Sequence, residues 1–326
     1  MIVLFLSLCL LSAVLLILEK DVVRVIFYTG IFSLLSAVCF LLLAAPDVAM
    51  AEVVVSGFST IFYIICLENY FRHEEGEAAD QAGPPAERMH VVPNTSRRKK
   101  SVDGGKGMSW GAPLVFTLLL FGLFLWFIPD HEANTVLKES FLSLFPVDVG
   151  GENAVTSIYL GYRVYDTLFE ALMLLVSVVA VIHLSQYKES QEADAVTHLI
   201  QRSPIAVPAI RMVAPVLLLF GFYLIINGHL SPGGGFQGGV VLSTLLLCRY
   251  MIYMIHDVPI QRFMTLEKFI FIGISVLVVL FVFLGMNDHW NLPQSVYLIL
   301  MNALIGLKVA CGFAVIVYRY VALERR

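Results

Sequence analysis

Charge is what this chain of 326 residues has least of: Asp, Glu, Lys and Arg together make up 14% of it, against about 25% in an average soluble domain. Hydrophobic residues reach 59% and the mean hydropathy is +0.83. A chain of that balance has too few polar groups to cover a surface in water, which excludes the soluble globular classes. Lipid is the solvent for most of it. The net charge of −4 and a pI near 6.1 lack the basic excess that nucleic acid requires, so no nucleic-acid partner is expected. Cysteines are few and isolated. Cys9, Cys39, Cys66, Cys248 and Cys311 each sit in an apolar run without a C-x-x-C pair, and they read as small core residues rather than disulfides, iron–sulfur ligands or zinc ligands. The eight histidines show no H-x-x-x-H or H-E-x-x-H spacing. No metal site is therefore expected, and these counts speak against a metalloenzyme.

What the chain has in abundance is long apolar runs. A spanning helix takes about 20 largely apolar residues, and nine stretches qualify, near 1–18, 22–44, 48–70, 110–128, 163–184, 209–227, 235–255, 268–286 and 294–318. The first lacks the basic start and the small-residue cleavage site of a signal peptide, and Glu19-Lys20-Asp21 follows it directly, so it reads as a retained span. The predicted fold class is thus an all-α integral membrane protein of about nine transmembrane helices.

Lys and Arg set its direction. With the N-terminus outside, the cytoplasmic segments hold Lys20 and Arg24, then seven basic residues between 72 and 106. They continue with Lys188, Arg202 and Arg211, with Arg249, Arg262 and Lys268, and with Arg319, Arg325 and Arg326. That is 18 of the 21. Lys138 and Arg163 fall outside, and Lys308 falls within a span. The asymmetry repeats at every loop, which places the N-terminus outside and the C-terminus in the cytoplasm.

Three softer stretches punctuate the spans. Residues 72–109 carry 13 charges, Gly-Pro-Pro and Gly-Gly-Lys-Gly turns, and the basic cluster Arg97-Arg98-Lys99-Lys100. Such a segment buries too little apolar area to offset its ordering entropy, and it reads as a flexible cytoplasmic linker whose basic cluster can touch anionic headgroups. Residues 186–204 separate the fifth and sixth spans. The outer loop 129–161 contains VLKESFLSLF, which suits an amphipathic helix lying along the interface. The breaks leave blocks near 1–71, 110–185 and 205–326, without an internal repeat.

An ionisable side chain inside a span costs a few kcal/mol or more, so each is a functional candidate. In APDVAMAE, Pro46 suits a first helical turn and Asp47 reads as a cap at the helix start, whereas Glu52 lies about a turn and a half deeper and suits a proton or ion role. In YRVYDTLFEALMLL, Arg163, Asp166 and Glu170 are spaced i, i+3, i+7 and share one helical face. Arg163 and Asp166 read as an interfacial pair. Glu170, roughly two turns into the span, reads as a proton- or Na⁺-handling carboxylate. Lys308 in MNALIGLKVACGF is too central to snorkel and has no acidic residue in its own span. Its partner is expected on another helix or another chain. His183 and His256 read as interfacial.

The connection NGHLSPGGGFQGGVVL lacks the preceding strand and the following Lys-Ser/Thr of a phosphate cradle. A geometric reading fits better. Pro232 sets a turn, Gly233, Gly234 and Gly235 permit positive φ, and Gly238 and Gly239 let another helix approach closely. His229 and Gln237 are placed to line a polar outer vestibule. Ser231 and His229 have no third partner, so an intramembrane enzyme is the weakest reading.

These segments carry a resemblance. GHLSPGGGFQGG and NALIGLKVACGF resemble the B subunit (MnhB) of Mrp-type cation/proton antiporters and the F subunit of membrane-bound hydrogenases, over essentially all of 205–326. GIFSLLSAVCFLLLAAPDVAMAEVVVSG resembles the D subunit of those hydrogenases, and YRVYDTLFEALMLL resembles their E subunit. The resemblance implies a D–E–F fusion: a three-helix module at 1–71, the linker at 72–109, a two-helix module at 110–204 and a four-helix module at 205–326. It implies a non-catalytic subunit without a cofactor, in the inner (plasma) membrane. It also implies partners that include other Mrp-like membrane subunits, among them a large antiporter-like one, and a peripheral hydrogenase-like redox arm. Glu52 falls on the family's APDVAxxE pattern, Glu170 on DTLxE and Lys308 on GLKV. The large antiporter-like domain that precedes the first two modules in a typical Mrp polypeptide is not in this sequence, which leans the expectation towards the hydrogenase-type arrangement over a stand-alone antiporter. A purely structural scaffold is the remaining alternative.

Overall fold

The computed structural model describes residues 2–80, 119, 135–184, 206–253, 260–284 and 294–323. Among these every regular element is helical. Helix α1 (Ile2–Leu18) and α2 (Val22–Leu42) pack against each other across the short link Glu19-Lys20-Asp21. The link is built for a helix start: the Asp21 carboxylate accepts from the Val23 N–H at 3.0 Å, and Arg24 reaches Glu19 and Asp21, both at 3.2 Å. After α2, Ala44 takes the left-handed conformation (φ 58°) and α3 (Pro46–Asp80) begins on a proline whose missing N–H costs nothing in a first turn.

Helix α3 runs further than its apolar part. Residues Pro46–Leu67 are apolar enough to span, yet the helix continues through the first nine residues of the expected linker to Asp80. The sequence there, RHEEGEAAD, is rich in Glu and Ala, good helix formers that need no apolar partner. The rest of the linker, the expected span 110–128, the stretch 186–204 and His256 lie outside the described residues.

The chain divides into two compact units, one of residues 1–74 with 143–326 and one of residues 75–142. VLKESFLSLF is helical as the body of α4 (Thr135–Asp148), whose residues belong to the smaller unit as far as Leu142 and to the larger from Ser143. In the larger unit the chain passes Gly150 (φ 75°) into a single helical turn, α5 (Ala154–Ser157). That turn runs on as a π-turn, Ile158–Tyr162, before α6 (Val164–Leu184) restarts. Four further helices follow: α7 (Ala206–Asn227), α8 (Gly235–Tyr253), α9 (Ile260–Leu284) and α10 (Gln294–Leu323).

Six of these helices contain stretches long and apolar enough to cross a membrane: Val22–Leu42, Pro46–Leu67, Val164–His183, Val207–Asn227, Arg262–Phe283 and Ser295–Arg319. Helices α1 and α8 are shorter apolar helices. Eight of the nine expected spans therefore fall on described helices, and the protein is a multi-pass membrane protein.

Helix α10 is the centre of the larger unit. It packs against α6, α7, α8 and α9, and its apolar window is 56% buried while those of the other candidate spans are 17–22% buried. Tyr297, Leu298, Met301, Ile305 and Val309 form its inner face at helical spacing. Phe281 of α9 stacks on Tyr297 with centroids 4.1 Å apart, and Phe58 of α3 meets Phe313 edge-on at 4.8 Å. Close packing of α8 depends on missing side chains. A Cβ on Gly239 would stand 2.6 Å from the Gly306 carbonyl of α10, and one on Gly238 2.7 Å from the Gly221 carbonyl of α7. Small residues are what let helix backbones approach this closely. The outward faces of α1, α2, α6, α7 and α9 carry exposed Leu, Val, Ile and Phe side chains.

Candidate functional site

Two clusters stand out: a buried charge pair between α9 and α10, and a polar junction at one end of the bundle. The charge pair answers the question Lys308 posed. Its Nζ lies 2.9 Å from Oε1 of Glu267, with the two side chains 1% and 0% exposed. The partner is on another helix of the same chain. Phe271, one turn along α9, presents its ring 5.9 Å from the ammonium. Gly312 leaves room for the carboxylate, since a Cβ there would touch Glu267 Oε1 at 3.4 Å and Leu174 at 3.2 Å. Oε2 of Glu267 is buried with no hydrogen-bond partner among the described residues. An ammonium carries three donors, and the pair to Oε1 is the one hydrogen bond Lys308 Nζ makes among these residues. Among the described residues, then, one carboxylate oxygen and two of the three ammonium donors have no hydrogen-bond partner.

Glu267 is the residue the sequence reading passed over. Hydropathy alone placed the span near 268–286 and counted Lys268 among the cytoplasmic basic residues, which left Glu267 outside it. The helix instead starts at Ile260 and the apolar window at Arg262, so Glu267 enters the bundle while Lys268, one position round the helix, stays exposed. A signal was present in LEKFIFIGI: Glu267, Ile270, Ile274 and Val278 share one face, and all four are buried.

The polar junction gathers three distant stretches of chain. Asn153 caps α5, its Oδ1 accepting from Val155 N at 2.9 Å and Thr156 N at 3.4 Å. Its Nδ2 faces Asp47 Oδ1 at 3.0 Å, Ser231 O at 3.0 Å and Gly228 O at 3.3 Å. Asp47 Oδ1 also accepts from the Gly233 N–H at 3.3 Å. Thr156 donates to Gly228 O at 2.6 Å, and the His229 carbonyl accepts from the N–H groups of Glu152 and Asn153 at 2.9 and 3.0 Å. The positive φ angles of Gly233 (148°) and Gly234 (144°) bring the glycine loop against α5 and α10. Asn302 of α10 then accepts from the Tyr159 hydroxyl and the Gly235 N–H, both at 3.0 Å, while its Nδ2 is buried without a partner among the described residues. Tyr297 donates to Leu160 O at 2.8 Å, tying α10 to the π-turn. Burial pushes the Tyr159 phenol up to about 12, and the charges of Asp47 and Glu170 act in the same direction.

The other expected residues are placed as follows. Glu52 is half-buried and accepts a short hydrogen bond from Ser33 of α2. Arg163 lies in the turn before α6, because the π-turn closes at Tyr162 and α6 restarts at Val164; it is not part of the helical face expected from the i, i+3, i+7 spacing. It pairs with Asp166 at 2.5 Å, both side chains exposed. Glu170 is exposed on α6, on the same side of the chain's surface as apolar Phe169 and Met173. His229 is buried, its Nδ1 3.0 Å from the Ile226 carbonyl, and Gln237 and Pro232 are half-buried. Asp47 serves the junction through its side chain. No group of three His, Cys, Asp or Glu side chains converges on a common point among the described residues.

The described helices and their apolar runs define a helical multi-pass membrane protein with a buried charge pair on its central helix and a glycine-rich junction at one end. The comparisons make this particular. Residues 205–316 match the family model of a domain related to the MnhB subunit of Na⁺/H⁺ antiporters, and residues 7–72 match that of the D subunit of MBH. A relative in Rhizobium meliloti (strain 1021), the A/B subunit of a probable K⁺/H⁺ antiporter, is 24% identical over 242 residues, 67% of this chain; the chain spans 22% of that relative's length. Among solved structures, a chain of the membrane-bound sulfane sulfur reductase, an archaeal respiratory membrane complex, is 28% identical with a TM-score of 0.52. That match covers 65% of this chain and 98% of the other. The Mrp complex of Dietzia sp. DQ12-45-1b shares the fold at a TM-score of 0.66 and 18% identity, over 97% of this chain and 34% of that one.

Proposed function

We propose that the chain is a non-catalytic membrane subunit of an Mrp-type cation/proton-translocating module, and that Glu267 and Lys308 are its charge-handling centre. The observation that carries this reading is the pair itself, 2.9 Å apart, at most 1% exposed, with Oε2 of Glu267 unpartnered among the described residues. Replacing such a pair by apolar residues is often neutral or stabilising, so stability alone does not account for it. A cation arriving at the free oxygen of Glu267 repels the ammonium's charge and favours release of a proton from Lys308. That is the elementary step an antiport module requires. Glu52 and Glu170 supply carboxylates on α3 and α6 for the approach, and the exposure of Glu170 leaves it open to a neighbouring subunit or to a lipid-facing path.

The modules of the proposal are 1–71, 110–204 and 205–326, joined by the linker 72–109, in an inner membrane with the N-terminus outside and the C-terminus in the cytoplasm. What supports the alternation of the spans is that Asp47, the segment 150–159 and the loop 228–235, all assigned to one side by the basic-residue asymmetry, meet at one end of the bundle; the direction rests on the basic residues. What favours attachment to a redox arm over a stand-alone antiporter is the length of the match to the respiratory complex, 98% of that chain. Co-purification of nickel–iron or iron–sulfur subunits with the complex tests that part.

Transport in membrane vesicles containing the full complex tests the centre. Glu267→Gln with Lys308→Met is expected to leave the complex assembled and to abolish cation-linked proton movement. Full transport in the doubly neutral variant would reduce the pair to a static contact and sink the proposal.

A further inference from the structure

We propose that Cys9 and Cys39 form an oxidisable thiol pair that closes into a disulfide joining α1 to α2. The sulfurs of these two residues, 30 positions apart in the chain, touch at 3.8 Å. Both are buried, at 9% and 6% exposure, in the interface where α1 packs on α2. Covalent closure brings the sulfurs from 3.8 Å to about 2.0 Å. Cys248 and Cys311 are also buried, but they lie on α8 and α10. Both cysteines lie on apolar helices, Cys9 within Leu4–Leu18 and Cys39 within the candidate span Val22–Leu42. Water-borne oxidants are kept from such a place, so the partner reagent is a membrane-permeant two-electron acceptor.

The step balances with an azo compound of that kind. The sulfur of one cysteine adds to the N=N bond, and the second sulfur then displaces the resulting hydrazine. One S–S bond forms and two S–H bonds break. The two electrons and two protons pass to the azo nitrogens, which become N–H. The consequence for the protein is a staple across the first helix pair, two turns along α2 from the Ser33 that holds Glu52. The inference stands on α1 and α2 alone and does not depend on the transport reading.

The test uses the full chain in its own membrane vesicles, treated with diamide as the permeant azo oxidant. A dithiol dissolved in the same lipid reports that the reagent reaches the membrane interior. Thiols open to alkylation after unfolding are expected to fall from the five of the sequence by two. A digest should contain a peptide linking Cys9 to Cys39, and both effects should vanish in Cys9→Ser and in Cys39→Ser. Five free thiols alongside an oxidised lipid dithiol, or a bond from either cysteine to any other sulfur, would overturn the assignment.

Discussion

Neutralising one member of the Glu267–Lys308 pair should be far worse than neutralising both. With Lys308→Met the Glu267 carboxylate, 0% exposed, loses its one hydrogen-bonding partner among the described residues. Breaking a buried pair from one side costs about 3–5 kcal/mol, because the surviving charge stays desolvated, while swapping the pair for well-packed neutral groups is close to neutral. For a chain of this size about 2 °C of melting temperature accompanies each kcal/mol, which puts each single variant roughly 6–10 °C below the wild type. Glu267→Gln with Lys308→Met should return to within about 2 °C of it. Thermal melting of the purified protein in mild detergent, read by loss of helical circular dichroism, gives all four corners of the cycle. The coupling energy should exceed about 2 kcal/mol, well outside the 0.3–0.5 kcal/mol by which independent sites depart from additivity. Additive single effects would show that the two side chains do not sense each other, and the geometry derived for the charge centre would be refuted.

The remaining expectations concern the junction and the helix contacts. Asn153→Ala removes a helix cap and strips Asp47 of a donor, so it should destabilise by about 2–3 kcal/mol; Asn153→Asp, which sets a second carboxylate against Asp47, should be worse, and equal melting temperatures for wild type and Asp variant would contradict the contact. Gly239→Ala drives a methyl group against the Gly306 backbone carbonyl and should cost about 1–3 kcal/mol or more, while the same change at Gly57, whose Cβ meets nothing within 4 Å, should be nearly silent in the same melting assay. Tyr159 has its phenol raised from 10.0 to about 12 by burial, so the folded state holds this proton more tightly than the unfolded one. The stability it contributes is fully present below pH 10 and is lost as the pH rises towards 12. Tyr159→Phe should flatten that alkaline limb, and an unchanged pH profile between 10 and 12 would show the phenol is not buried.

Much of the architecture was legible because lipid imposes a simple code: apolar runs of the right length, and basic residues at their ends. Lys308 was legible for the same reason, since a central lysine must find a partner and the partner proved to lie on a neighbouring helix. Glu267 was not, because hydropathy counting stops at the first charged pair and cannot tell a carboxylate at a span end from one carried into the bundle by a helix that begins two turns earlier. The role of Asn153 was invisible for a different reason. It is uncharged, so its burial leaves no signature in the sequence, and its value lies in contacts with residues 106 and about 75 positions away. The spacing of Asp166 and Glu170 did fix which helix face they share, but a sequence does not state whether such a face turns inward. Here it is exposed, and the helix arithmetic that included Arg163 missed the π-turn immediately before it.

The junction around Asn153 also bears on how severable the polypeptide is. Asp47 precedes the long insertion in the chain, whereas Asn153 and the glycine loop follow it, and they are held together by hydrogen bonds, with Phe58 seated on Phe313 as a second fastening. Peptide continuity between residues 81 and 118 is therefore not what keeps the front of this protein attached to its back. A protease nick or a gene split in that interval would yield two fragments that already possess a mating surface. Covalent linkage raises their effective concentration and spares them a search for one another; the recognition itself is written in side chains on either side of the cut.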